Sequence, residues 1–424
     1  MTGMDEKQYR IRTIERRHSL LQTAAVAVTF FVTMAFGTVT TPLWSTYETH
    51  YAFGSAGVSW GFGMMAIGVI AGLLAFGGLS DMLGRRYVLL LSVAIGLLAC
   101  AVFLIPGLPS MFLARFIQGI EIALMVSTGP ATISERLESA GRADSGLAAP
   151  VTTIANLGGL GAGGLISALV VKILRHPFTT PYMAFAGLLL ACGIMIAFSE
   201  QNRGKTLHIA FRIRLPHIPG QNRRGYFAAG AVGLSALAAF SIFASLGPSV
   251  LSSVFGISGI TAGPAVYFLV MMFGAIGQLA LIRLPSTWRK AIAVVLMAIG
   301  FGLTAVCTRW PNMVMFILGA MLLGLGSGTA FADAARTVIS LADQRNAASA
   351  QAGFFIIAYL GMVIPIVALA ALVDGIGVPA AFAVTGTALT AIAAAGLAVI
   401  LQPRRQRTVD GADHSHSVRH EPRL

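Results

Sequence analysis

Apolar residues run along this chain in twelve blocks of helical length, separated by short polar breaks. The first six blocks cover roughly 20–42, 58–79, 87–106, 110–132, 146–171 and 181–198. The second six cover roughly 227–250, 261–283, 290–308, 312–332, 348–372 and 378–401. A helix crossing a ~30 Å hydrocarbon layer needs ~20 such residues. One break is longer than the rest: Ser199 to Gly225 is polar and basic and contains Pro216 and Pro219. The pattern therefore predicts a polar tail at 1–19, a six-helix bundle at 20–198 and a basic linker at 199–225. A second six-helix bundle at 226–401 and a polar tail at 402–424 complete it.

Composition sharpens this picture. Of 424 residues, 56% are apolar and only 11% are charged, where a soluble domain carries about twice that charged share. The fold class is all-α and membrane-integral. A net charge of +13 would suit a nucleic-acid partner in a soluble protein, but here its placement explains it. Lys172, Arg175 and Arg309 lie on one side of the predicted membrane and Arg115 lies within a span. All the other Lys and Arg residues fall on the opposite side, which marks that side, with both termini and the linker, as cytoplasmic. No nucleic-acid partner is expected. The first apolar block is too long for a signal-peptide core and reads as a retained signal-anchor helix. Cys100, Cys192 and Cys307 are isolated within apolar blocks, which fits packing, not a metal site or a disulfide. His414, His416 and His420 read as part of a solvated tail, and no metal or cofactor is expected.

The turn between the second and third blocks reads Gly77-Gly78-Leu79-Ser80-Asp81-Met82-Leu83-Gly84-Arg85-Arg86. Gly77 and Gly78 allow close helix approach, and Gly84 allows a sharp turn. Asp81 suits a helix N-terminus, while Arg85 and Arg86 suit a carboxylate on a neighbouring loop, for which Glu135 is a candidate. The ordered spacing G-x-x-x-D-x-x-G-R-R resembles the loop motif of the major facilitator superfamily, although Met82 stands where that family usually has a basic residue. Arg115-Phe116-Ile117-Gln118-Gly119 is similar to the family's R-x-x-Q-G motif, and Thr41-Pro42-Leu43 resembles a bacterial subgroup. The resemblance implies two pseudo-symmetric six-helix bundles, each of inverted three-helix repeats, with solute near the midplane. It implies alternating access, with the loop motif as a cytoplasmic latch.

Glu121 departs from the resemblance, because the family usually has glycine there. It lies six residues beyond Arg115, with Gln118 three residues from each, so the three form a slanting polar stripe on the fourth helix. An ionisable group at bilayer depth costs about 2.5–3.5 kcal/mol on insertion scales. Two readings stand: Glu121 pairs with a neighbouring helix and fixes packing, or it lines the cavity and takes up and releases a proton. Arg115, Gln118, Glu121 and Asn156 are the candidate cavity residues. Gln278 and the Thr29/Thr33 pair are further polar groups within spans, better suited to helix contacts.

Gly158 to Gly164 contains a literal G-x-G-x-x-G, but no strand precedes it, so dinucleotide binding is not expected. Gly159, Gly163 and Gly164 instead have helix-packing spacing. They partly resemble the family's antiporter motif, with Leu160 in place of its proline. Arg203-Gly204-Lys205-Thr206 lacks the rest of a P-loop, so ATP-driven transport is unsupported. Trp44, Tyr47, Tyr51 and Trp310 fit an outer interfacial belt, with shaping of the pathway's outer mouth as the alternative for Trp44 and Tyr47. Asp333 and Arg336, placed at the loop after the tenth block, resemble gate residues without a tight motif.

The expected function is secondary transport of a small organic solute across the inner membrane, with protons as partner and efflux of a drug or metabolite as the direction. Proton-coupled uptake or facilitated diffusion of a sugar or organic acid is the alternative. A receptor or scaffold is the alternative of another class. No enzyme activity is expected, and the chain is expected to act as a monomer in the bilayer.

Overall fold

The computed structural model describes residues 2–52, 55–76, 79–142, 145–199, 218–343 and 347–402. Among these residues the regular structure is helical throughout, with no strand. Hydrocarbon offers no water to satisfy backbone groups, so a chain of separate apolar blocks closes its hydrogen bonds inside helices. Eleven helices are long and apolar enough to cross a membrane, and the shorter apolar stretch Trp60–Phe76 supplies the twelfth.

In chain order, helix 1 is Thr2–Gly37, helix 2 is Ser55–Phe76 and helix 3 is Arg85–Phe103. Helix 4 is Leu108–Ser139, helix 5 is Ala148–Leu174 and helix 6 is Thr180–Ala197. Helix 7 is Arg223–Phe255, helix 8 is Ala262–Ala280 and helix 9 is Ser286–Arg309. Helix 10 is Met313–Leu341, helix 11 is Ser349–Val373 and helix 12 is Ala380–Leu401. Helices 11 and 12 are separated by a kink at Gly377, whose φ of 79° and ψ of 162° leave the helical region, a conformation glycine adopts without strain.

Several helices outrun their apolar blocks. Helix 1 starts at Thr2, so the polar N-terminal stretch and the first span are one helix. Helices 4 and 10 continue to Ser139 and Leu341. That extension places Asp333 and Arg336 inside helix 10 and not in the loop after it. Gly77, most of the linker (residues 200–217) and residues 403–424 lie outside the described residues, as does the side chain of Asp81.

Large apolar side chains such as Leu21, Ile173, Met183 and Phe198 are exposed on the outer faces, where a bilayer would cover them. The interior is packed through small residues. A Cβ on Gly163 would overlap the Ala35 carbonyl, and one on Gly159 would lie 2.5 Å from the Phe31 carbonyl. Helices 5 and 1 therefore touch backbone to backbone, as the spacing predicts. Gly164 is less confined, its nearest neighbour being Thr41 Cβ at 3.4 Å.

The two halves meet where helix 2 packs on helix 11 and helix 5 packs on helix 8. Helix 5 is interrupted there by a π-helical segment, Ile154–Gly158. One residue before it, Thr153 donates to Gln278 Oε1 of helix 8 at 3.2 Å, a hydrogen bond between the halves.

Candidate functional site

Between the halves lies a cavity of about 180 Å³. Phe30, Met34 and Thr38 reach it from helix 1 and its end, Phe62 and Met65 from helix 2, and Ile122 and Val126 from helix 4. The second half contributes Phe240 and Ser241 from helix 7, Tyr267 and Met271 from helix 8, Phe331 from helix 10, and Gln351, Phe355 and Tyr359 from helix 11. Asn156, in the π segment of helix 5, also lines it. Such bulges turn side chains out of the regular helical register and recur at functional sites. Among the described lining residues none is charged. The wall is aromatic and thioether with a few neutral hydrogen-bonding groups, which suits an apolar or amphipathic molecule.

Of the four residues expected in this cavity, only Asn156 is there. Arg115, Gln118 and Glu121 are 0–1% exposed and turn into the N-terminal bundle. Arg115 donates to the carbonyls of Gly61 at 3.3 Å and Gly37 at 3.0 Å, and to Gln118 Oε1 at 2.7 Å. Gln118 Nε2 in turn donates to the Phe36 carbonyl at 2.6 Å. The guanidinium also lies 5.5 Å from the Trp44 and Phe62 ring centroids. This network ties helix 4 to helices 1 and 2. It engages three of the guanidinium's five N–H donors.

Glu121 sits deeper in the same bundle. Its carboxyl fills the space left by Gly96 on helix 3, whose Cβ would stand 2.5 Å from Oε1. Thr33 faces the carboxyl from helix 1 with a hydroxyl to donate, and no other side chain among the described residues bonds to either carboxyl oxygen. Ser92 of helix 3 spends its hydroxyl on the Glu121 backbone carbonyl at 3.0 Å. The chemistry open to this carboxyl is the gain and loss of a proton.

Trp44 and Tyr47 do not form an outer belt. They are 6% and 3% exposed, Trp44 over Arg115 and Tyr47 bonded to Tyr182 Oη at 2.7 Å. The neighbouring cation and packing pull them inward. Trp310 is 68% exposed, as a belt residue would be.

At the end of the bundles that carries the basic turns, Arg85 Nη2 lies 2.6 Å from Glu135 Oε1. Arg86 donates to the Ala197 carbonyl at the end of helix 6. In the second half, Arg289 Nε meets both oxygens of Asp333 at 2.8 and 2.7 Å. Its Nη1 caps the Ile282 and Leu284 carbonyls, and Arg336 adds a contact to Asp333 at 3.0 Å.

At the opposite end a second cavity of about 420 Å³ opens between the halves. It is bordered by Trp44, Ser45, Thr46 and Glu48 from one half and by Ser245, Ser249, Ser252, Pro264, Ile366 and Leu369 from the other.

A family model described as Major Facilitator Superfamily matches residues 26–301. The chain belongs to that superfamily. It is 29% identical over 259 residues to "Multidrug transporter MdfA" of Yersinia pestis bv. Antiqua (strain Angola), covering 59% of this chain and 56% of that protein. The chain thus spans about half the length of this curated relative. It is 33% identical over 125 residues to "Multidrug resistance protein MdtM" of Salmonella typhimurium, covering 29% of this chain and 30% of the relative. Among solved structures, a nucleoside transporter, NupG, superposes with a TM-score of 0.70 at 16% identity, covering 89% of this chain and 99% of the other. That likeness concerns the fold alone. Against the major facilitator architecture, the residues missed from sequence are Tyr267, Gln351 and Tyr359 in the cavity and Arg289 at the turn. Tyr267 and Tyr359 carried a visible signal as polar groups within apolar blocks. Arg289 carried one as well, since it opens the third helix of its half as Arg85 does.

Proposed function

We propose that this chain is a secondary active transporter that carries a small apolar or amphipathic organic solute across the inner membrane by alternating access. The observation that carries the reading is the uncharged, aromatic-lined cavity shared by the two halves. Efflux is the direction we favour, supported by the resemblance to proteins named as multidrug transporters. With the basic turns facing the cytoplasm, the Arg85–Glu135 and Arg289–Asp333 contacts hold the inner ends of the helices, and the larger cavity opens outward. Arg85, Arg86 and Glu135 act as a gate, together with Gly77, Asp81 and Gly84 of the same turn. Asn156, Tyr267, Gln351 and Tyr359 orient the solute.

Glu121 carries the coupling proton. It does so from inside the N-terminal bundle and not from the cavity, so protonation acts on how helices 1, 3 and 4 pack around it. The reading is tested with the purified full chain in proteoliposomes under an imposed pH gradient. Glu121→Gln should lose gradient-driven flux while keeping solute counterflow exchange. Undiminished gradient-driven flux in that variant would exclude the proton role, and flux indifferent to the gradient in the native chain would make the protein a facilitator.

A further inference from the structure

The two cavities differ in charge. The inner one has no charged side chain among its described lining residues, whereas the outer one has Glu48 alone. Glu48 lies on the short helix Trp44–Tyr51 that follows helix 1, and it is half-buried. Among the described residues it has no ion-pair or hydrogen-bond partner. No Lys or Arg lines the same cavity to neutralise it. Around it stand hydroxyls (Ser45, Thr46, Ser249) and an apolar wall (Leu246, Ile366, Leu369). A lone carboxylate in a recess with low-dielectric walls focuses its field on what enters and repels anions.

The cavities are also neighbours. Ala244 lines both. Trp44 lines the outer one, Phe62 lines the inner one, and their rings pack at 5.5 Å between centroids. A solute passing between the inner cavity and the outside meets this aromatic partition and then Glu48.

We propose that the outer vestibule is a second solute subsite, in which Glu48 holds the charged end of an organic cation whose apolar body lies against Leu246, Ile366 and Leu369. The inner cavity selects for size and apolar character, and the vestibule sorts by charge. Its position on the solute's path rests on the transport reading above, but binding there does not.

The test uses the detergent-solubilised full chain and calorimetric titration with two probes of similar shape, cationic tetraphenylphosphonium and neutral triphenylphosphine oxide. Glu48→Gln should weaken tetraphenylphosphonium about tenfold, the loss of one charge-assisted contact, and leave the oxide unchanged. Glu48→Asp should keep most of the cation affinity, which separates charge from folding. Glu48→Lys should admit tetraphenylborate, and the native chain should reject it. An unchanged cation affinity in Glu48→Gln, or equal weakening of both probes, overturns the proposal. Glu48-dependent binding without any flux in proteoliposomes would support the vestibule and sink the transport reading. Flux of the cation unaffected by Glu48→Gln would overturn the vestibule's place on the solute's path and leave the transport reading standing.

Discussion

Each half of the molecule places an arginine at the start of its third helix and a carboxylate near the end of its fourth, yet the two pairs are built differently. Arg85 and Glu135 are 29% and 46% exposed and share one contact. Arg289 and Asp333 are 12% and 2% exposed, and Arg336 and two backbone carbonyls join them. An exposed pair is worth about 0–1 kcal/mol, so it can break and reform readily. A buried cluster whose partners are all satisfied is stable as a unit, but losing one member leaves the others stranded. The first half therefore has the looser catch and the second half the firmer brace.

Deeper in the bilayer the contrast is just as plain. The first half buries Arg115 and Glu121 within its bundle. The second half supplies the cavity with neutral groups only, Ser241, Tyr267, Gln351 and Tyr359. Equivalent topology carries unequal chemistry: charge in one bundle, most of the cavity's polar groups in the other.

The contrast can be broken at graded positions. Arg115→Ala should have the largest effect, since it strands Gln118 Oε1 and the Gly37 and Gly61 carbonyls. A loss of about 3 kcal/mol or more, at roughly 1.5–3 per hydrogen bond to a charged group, should appear as a much lower Tm or as failure to accumulate. Asp333→Ala should follow, with a loss on the order of 3 kcal/mol as Arg289 loses its counter-ion. A melting temperature equal to the native chain's would show that the brace is not structural.

Gly163→Val should cost about 1–3 kcal/mol by overpacking, because the Ala35 backbone occupies the space its side chain needs. Thermal melting reads that loss, and retained stability would mean that helices 1 and 5 separate easily. The smallest stability effect belongs to Glu135→Gln, under about 1 kcal/mol. Its signature is kinetic, namely an altered transport rate with solute affinity unchanged. If Glu135→Gln destabilised the chain as much as Asp333→Ala, the distinction between catch and brace would fail.

Much of the architecture is legible in the sequence because membrane insertion is decided block by block. Twelve apolar blocks, the long central break and the distribution of Lys and Arg are local properties. They lead to the helix count and the proposed orientation without knowledge of any contact. The Arg85–Glu135 pair was reachable too, since the loops that carry them lie on one side and bear opposite charge. The close packing at Gly159 and Gly163 follows from their four-residue spacing.

What the sequence could not decide was the direction each helix faces. Arg115, Gln118, Glu121 and Asn156 all read as intramembrane polar groups, and hydrophobic periodicity is silent where every face of a helix is apolar. Only the packed bundle shows that carbonyls of Gly37 and Gly61 draw Arg115 inward and that Gly96 leaves room for the Glu121 carboxyl. Only the π segment explains why Asn156 reaches the cavity. Helix number and length are fixed by hydrophobicity along the chain. The cavity and its chemistry are fixed by helix rotation, which depends on neighbours far away in sequence.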